Sequence, residues 1–199
     1  MPIPLLELDA LDCGVVTPVS LAIGRGECVG VSGPSGSGKT RLLRAVADLD
    51  PHGGECRLEG AACSGMRAHD WRRQVSLLTA DSRWWADTVG EHFPRCVENV
   101  LERLGFDDSV LAAEVGRLST GQRQRLALAR LLSRRPRVLL LDEPTANLDE
   151  GNRDAVESLV ADFRDQDGIG VLWVSHDAAQ LQRVADRHFR IRDGRLVAG

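Results

Sequence analysis

Three short stretches of this chain are apolar throughout: Cys28-Val-Gly-Val31, Val138-Leu-Leu-Leu141 and Val171-Leu-Trp-Val174. A strand with one face in water alternates apolar and polar residues. Runs without alternation therefore predict strands of a parallel sheet covered on both faces. Polar chemistry follows each run at once: a Gly-rich loop from Gly33, the acidic pair Asp142-Glu143, and Ser175-His176. Open α/β sheets bind ligands at the carboxyl ends of their strands, so one site assembled from three distant segments is expected.

Residues 3–8, 19–23, 55–58 and 74–78 also read as strands, with Gly and Asp at the turns between them, and suggest an antiparallel side sheet. Over 88–117 the pattern becomes helical, with Val97, Val100, Leu101 and Leu104 on one face and no strand signal, which predicts a helical subdomain. Asp193-Gly194 lies between two apolar-containing runs and predicts a closing hairpin over 188–197. No repeat or low-complexity tract divides the chain, so residues 1–199 are expected to form one α/β domain.

Composition narrows the classes. With 43% hydrophobic residues in 199, one substantial core is available. A formal net charge of -4 with 27% charged residues offers no positive field for nucleic acid or an anionic membrane surface, so no nucleic-acid partner is expected. Cys13, Cys28, Cys56, Cys63 and Cys96 are odd in number and lack paired C-x-x-C spacing, which argues against a zinc site or redox couple and for a reducing compartment. No stretch approaches the ~18 apolar residues of a membrane span, and the N-terminus lacks a basic region followed by an apolar run. A soluble, cytoplasmic protein is the expectation.

Gly33-Pro34-Ser35-Gly36-Ser37-Gly38-Lys39-Thr40 matches G-x-x-x-x-G-K-[ST] after a predicted strand and before the helix-like segment that begins at Arg41. Glycines let successive backbone N–H groups turn inward on a polyphosphate, Lys39 reaches the outer phosphates, and the Thr40 hydroxyl can ligate Mg²⁺. The pattern arises by accident in about one chain of this length in 150. By itself it says only that a nucleotide is bound.

Leu118-Ser-Thr-Gly-Gln122 precedes a second helical run, and Ser119 and Gln122 form an S-x-x-Q capping box. A capped helix start carrying Ser119 and Gly121 is equally a site for an anion, and the two readings are compatible. The acidic pair Asp142-Glu143 is either a solvated loop or the place where one carboxylate holds a water on Mg²⁺ and the next polarises the attacking water. A lone histidine is more often structural than catalytic, but His176 stands at a strand end beside the same chemistry.

The phosphate loop, Leu118-Ser-Thr-Gly-Gln122, Leu139-Leu-Leu-Asp-Glu-Pro-Thr145, Ala146-Asn-Leu-Asp149 and Ser175-His176 occur in the order and approximate spacing of ABC ATPases, and the chain resembles that family over nearly its whole length. The resemblance implies a P-loop NTPase fold of the ABC nucleotide-binding type, with ATP and Mg²⁺ as cofactors. It implies a nucleotide-sandwich homodimer in which Ser119, Gly121 and Gln122 act in trans on the γ-phosphate. The implied cofactor-binding set is residues 33–41, including Arg41, together with Ser119, Gly121, Gln122 and Asp149, the last organising the dimer interface. Thr40 and Asp142 are the implied metal ligands, and Glu143 and His176 the implied catalytic pair. An integral membrane permease is the implied partner, placing the chain peripherally at the inner membrane. Asp87-Thr-Val89 and the run from Val171 to Asp177 resemble the small ATP-binding subunits of iron export, with other small cargo as competitors. A non-transport ABC ATPase and a slow regulatory nucleotide switch stay open as alternatives.

The sequence also departs from that pattern. No Phe, Tyr or Trp precedes Trp71, so stacking on adenine is not provided upstream of the phosphate loop, and weak discrimination between ATP and GTP is expected. Ala80 stands where the family has a Gln near Mg²⁺, which predicts slow turnover, with Asp81 the neighbour able to stand in. Thr120 replaces a Gly of the signature. Trp84-Trp85 falls where the family meets its permease and reads equally well as local core or as a docking patch.

Overall fold

The computed structural model describes residues 3–93 and 98–199. Cys96 and Val97 lie outside the described residues. The elements run in the order β1 (Leu6–Asp12), β2 (Val19–Ile23), β3 (Cys28–Ser32), α1 (Lys39–Val46), β4 (Gly53–Leu58), β5 (Ala61–Ala62), α2 (Ala68–Gln74), β6 (Val75–Leu78), α3 (Glu98–Arg103), α4 (Thr120–Leu132), β7 (Val138–Asp142), α5 (Glu150–Asp167), β8 (Gly170–Val174), α6 (Ala178–Val184), β9 (Arg187–Arg192) and β10 (Arg195–Ala198). They form a six-stranded sheet in the order β10-β9-β3-β8-β7-β6 and a four-stranded sheet in the order β2-β1-β4-β5.

The three apolar runs are β3, β7 and β8, adjacent, parallel and buried at every position. Side chains of a strand alternate between faces, and here each face has its own core. Val138 and Leu140 of β7 and Leu172 and Val174 of β8 join the cluster built with α1 and the four-stranded sheet. Leu139, Leu141, Val171 and Trp173 join the opposite cluster, built with α4, α5 and α6. Burial of one such side chain stabilises by about 1.5–3 kcal/mol, so a polar residue on either face is disfavoured, and the alternation disappears from the sequence. At Gly30 of β3 an added Cβ meets Ala185 Cβ at 3.0 Å, so only glycine admits α6 so close to the sheet.

β1, β2 and β4 pair antiparallel as the expected side sheet. The segment 74–78 does not belong there: β6 pairs parallel with β7 at the edge of the large sheet. Its Val75, Ser76 and Leu78 are buried, because helices cover both of its faces, and that burial decides its sheet. The hairpin forms as β9 and β10, with Arg192 opposite Arg195 and Asp193 and Gly194 at φ 49° and 70°, the pair of positive angles a two-residue turn requires.

Residues 88–117 are less helical than expected. α3 is one short helix, followed by 3-10 turns at Asp108–Ala112 and Val115–Arg117, and Thr88 bridges Glu114 antiparallel. Gly105, at φ 77°, ends α3, and Asp107 turns its side chain onto Ser109 N, so the chain folds back before a second helical stretch can grow. Leu101 and Leu104 are fully buried beneath this segment. No helix among the described residues is long and apolar enough to cross a membrane.

Candidate functional site

The Gly-rich loop leaves β3 and closes on the first turn of α1. Gly33, Gly36 and Gly38 take φ of 154°, 77° and 102°, which side-chain-bearing residues rarely adopt. A Cβ at Gly38 also meets Val15 Cγ2 at 2.8 Å. Lys39 folds back along the loop, its Nζ donating to the carbonyls of Gly33 at 2.8 Å and Pro34 at 3.0 Å. Pro34, Ser35 and Gly36 are exposed at the tip, Ser37 Oγ is buried with no hydrogen-bond partner among the described residues, and Arg41 is exposed on α1.

β7 ends at Asp142, which is 4% exposed. The Thr40 hydroxyl donates to Asp142 Oδ2 at 2.8 Å, joining the start of α1 to the end of β7. Burial raises the Asp142 carboxyl above its ordinary value, and the Thr40 hydrogen bond and the nearby Lys39 charge oppose that shift. A hydroxyl and a carboxylate oxygen in contact are the hard oxygen donors a Mg²⁺ ion takes, and a cation there relieves the cost of the buried charge. The residues fit such an ion.

Glu143 lies one residue beyond the strand at φ 50°, a left-handed conformation strained for a non-glycine residue. Its amide donates to Val174 O of β8 at 3.0 Å, and this turn aims the carboxylate at the end of the next strand. There His176 Nδ1–H donates to Glu143 Oε2 at 2.9 Å. The imidazole is 71% exposed and the carboxylate 19%, so the pair faces open space above the strand ends. Ser175, buried between them and β3, donates its amide to Val31 O at 3.2 Å.

Behind Glu143 lies a network that sequence reasoning missed. Gln180 of α6, 2% exposed, donates through Nε2 to Thr145 Oγ1 and to Glu157 Oε1, both at 2.7 Å. It ties the 143–145 turn to α5 and α6. Thr145 was visible within the acidic motif, but its partner lies 35 positions away and carries no local signal.

A second group forms at the start of α4. Ser119 Oγ accepts from Gln122 N at 3.1 Å, and Gln122 Oε1 accepts from Ser119 N at 2.9 Å, completing the capping box. Gly121 is flush with the 146–149 loop: an added Cβ meets Asn147 O at 3.2 Å. Asp149 caps α5, accepting from Asn152 N at 3.0 Å, and is held below the usual carboxylate range by that backbone hydrogen bond and the Asn152 side chain. Among the described residues, no hydrogen bond joins Ser119, Gly121 or Gln122 to the phosphate loop. Lys39, Thr40, Asp142, Glu143 and His176 are brought together; the α4 cap stands apart from them with its outer face open.

Ala80 is exposed in the turn after β6, and Asp81 lines the same groove as Thr40 and Asp142. Trp84 is half-buried and Trp85 is 67% exposed, so one tryptophan takes the core reading and the other faces solvent.

The family profile described as ABC transporter matches residues 16–146. The probable iron export ATP-binding protein FetA of Escherichia coli is 35% identical over 196 residues, covering 89% of this chain and 87% of that protein. The Fe(3+) ions import ATP-binding protein FbpC of Streptomyces coelicolor is 38% identical, covering 99% of this chain; the chain spans 62% of that longer protein. Among solved structures, cbiO1 of Clostridium perfringens, described as part of the ABC transporter complex cbiONQ, superposes with a TM-score of 0.81 at 23% identity, covering 98% of this chain and 87% of its own, and shares the fold. With its strand-end chemistry, its nucleotide loop and relatives of this likeness over almost its whole length, the chain belongs to the ABC transporter family as an ATP-binding member.

Proposed function

We propose that the chain is the ATP-hydrolysing subunit of a transporter, that two copies clasp MgATP between them, and that the cycle drives an integral membrane permease. The observation that carries this reading is the pairing of Thr40 with Asp142 and of Glu143 with His176 at the ends of adjacent parallel strands, beside the phosphate loop. Backbone amides of 33–38 and Lys39 bind the phosphates. Thr40 and Asp142 would hold Mg²⁺, which would supply positive charge to offset the negative charge of the phosphates.

Glu143 orients the attacking water and takes up its proton as the water oxygen bonds to the γ-phosphorus and the bond to the leaving oxygen breaks. His176, held by Glu143, faces the same space and stabilises charge on the transferring group. Among the described residues Ser119 and the first turn of α4 make no hydrogen bond to their own phosphate loop, which supports their acting on nucleotide bound to a second copy. The iron-named relatives favour a metal ion as cargo, for export or import. A slow nucleotide switch is the second reading, supported by Ala80, whose methyl group cannot contact water or metal as a Gln would.

Mixing two inactive variants tests the trans arrangement. Lys39→Ala destroys one phosphate loop and Ser119→Arg one capped helix; in a mixed dimer, the site pairing intact Lys39 with intact Ser119 survives. Random pairing then restores about a quarter of the wild-type sites. No recovery on mixing, with each variant folded and dimeric, refutes the shared site.

A further inference from the structure

Away from the phosphate site, His92 has partners that fix its proton. It ends the 3-10 turn Gly90–His92 and is 3% exposed. Its Nε2 lies 3.0 Å from Trp85 N and 3.1 Å from Ala86 N, and its Nδ1 lies 3.0 Å from Thr88 O. Amide nitrogens only donate, so Nε2 must present a lone pair; a carbonyl only accepts, so Nδ1 must carry the hydrogen. The partners therefore select the neutral Nδ1–H tautomer.

The ring also stands edge-on to two tryptophans, 4.7 Å from Trp84 and 4.6 Å from Trp85 between centroids. The Arg130 guanidinium of α4 covers both indoles at 4.6 and 4.9 Å, and its Nη1 donates to Arg83 O. Trp85 lines a groove of about 890 Å³ together with Thr79, Asp81, Arg130 and Arg134, and the same groove reaches Thr40 and Asp142. Exposed Trp85 is thus part of a wall whose backbone hangs on one imidazole nitrogen.

We propose that His92 is a positioning residue for this wall: neutral, it pins residues 85 and 86 and presents Trp85 to the membrane partner; protonated, it releases them. The inference rests on the reading that a membrane subunit docks here. A proton on Nε2 turns the acceptor into a donor facing two amide hydrogens, so both amides lose their partner at once. The charged groups around the ring pull in opposite directions, since the Glu91 carboxylate attracts a protonated His92 through space while the nearby cations repel it. Arg130 and Arg83 are cations. Glu91 is engaged by Thr88 N and Oγ1, Asp87 is exposed on the same loop, and Glu114 pairs with Arg117. Among the described residues the imidazole's hydrogen bonds all go to backbone groups and none to a carboxylate.

The test uses the ¹⁵N-labelled full chain without its partner, titrated from pH 8 to pH 5. Long-range proton–nitrogen correlation spectra are expected to show Nε2 unprotonated and Nδ1 protonated at pH 8. The amide signals of Trp85 and Ala86 and the tryptophan emission are expected to move with the imidazole on acidification. A Nε2–H tautomer at pH 8, or amides of 85 and 86 indifferent to imidazole protonation, overturns the proposal. In His92→Phe, the ring remains and the acceptor is lost. Hydrolysis by the isolated chain is expected to stay within twofold of wild type, while stimulation by the permease falls and loses its pH dependence. Stimulation unchanged in this variant also overturns the proposal; should the variant not fold, the wild-type titration decides. If no membrane subunit stimulates hydrolysis at any pH, the partner reading fails, and the nitrogen spectra report separately on the latch.

Discussion

Replacing Glu143 with Gln separates chemistry from structure at this site. The substitution keeps the size of the side chain and a hydrogen-bonding group for His176, and it removes the base. Loss of a positioned general base costs 10²- to 10⁴-fold in rate, or about 3–5 kcal/mol of transition-state stabilisation. The stability term is far smaller. The His176 imidazole is 71% exposed, so its interaction with Glu143 is screened and contributes less than about 1 kcal/mol. For a domain of this size that is a change in melting temperature below about 4 °C. Phosphate release under saturating MgATP is therefore expected to fall at least about a hundredfold with an almost unchanged melting curve. Because ATP binding is retained and hydrolysis is blocked, the variant is expected to accumulate as an ATP-bound dimer, read by light scattering after size exclusion. Hydrolysis within threefold of wild type removes Glu143 from the reaction. A chain that stays monomeric in this variant, both alone and beside its membrane partner, refutes the sandwich.

Asp142→Asn is expected to raise the melting temperature of the nucleotide-free protein at pH 7. Burial holds the Asp142 carboxyl above its unfolded value, so folding favours the protonated acid. That contribution is lost as pH rises through the raised value, leaving the ionised group a cost at neutrality that Asn lacks. Stabilisation by added Mg²⁺ with ATP should disappear in the same variant, and a melting temperature lower than wild type at pH 7 contradicts the sign. Gly38→Ala places a Cβ at φ 102° and 2.8 Å from Val15 Cγ2; about 1–3 kcal/mol of strain should weaken ATP binding by roughly 5- to 150-fold by calorimetry. ATP and GTP are expected to bind within a few-fold of each other, because the side chain packed on the loop at Gly38 is the half-exposed aliphatic Val15; a strong preference for ATP in competition refutes this.

What could be read from the sequence was what burial or a local hydrogen bond writes into it. β3, β7 and β8 showed as uninterrupted apolar runs because each is covered on both faces. The capping box and the Asp193-Gly194 turn are contacts between residues three or fewer apart, so the letters suffice. The sheet to which β6 belongs is not legible in its letters, because four residues cannot reveal which neighbour they pair with; α2, α4 and β7 decide it. In 88–117 the helical spacing of Leu101 and Leu104 was real, but glycines and side-chain turns cut the helix short. His92 had no signal at all. All three of its partners are backbone groups, which leave no residue-specific mark in the sequence.

α4 joins the features that the two sheets keep apart. Its first turn is the Ser119 cap, and near its last turn Arg130 covers Trp84 and Trp85. Eleven residues at 1.5 Å each put about 16 Å between those ends. Between them Gln124, 5% exposed, donates to Thr79 O at 3.4 Å, tying the helix to the turn that carries Ala80 and Asp81. Leu126, Ala127, Leu128 and Ala129 are buried against the sheet, so the helix moves with its neighbours or as one piece. α4 therefore connects the Trp85 wall to both Ser119 and the turn that carries Asp81. Ala80, in the turn that Gln124 ties to α4, offers no polar side chain toward Thr40 and Asp142, and slow basal hydrolysis is the outcome expected of the isolated chain. If a membrane partner docks on the wall at Trp85, its stimulation of hydrolysis is expected to be larger here than in a relative that keeps the Gln, and equal stimulation in the two contradicts this link through α4.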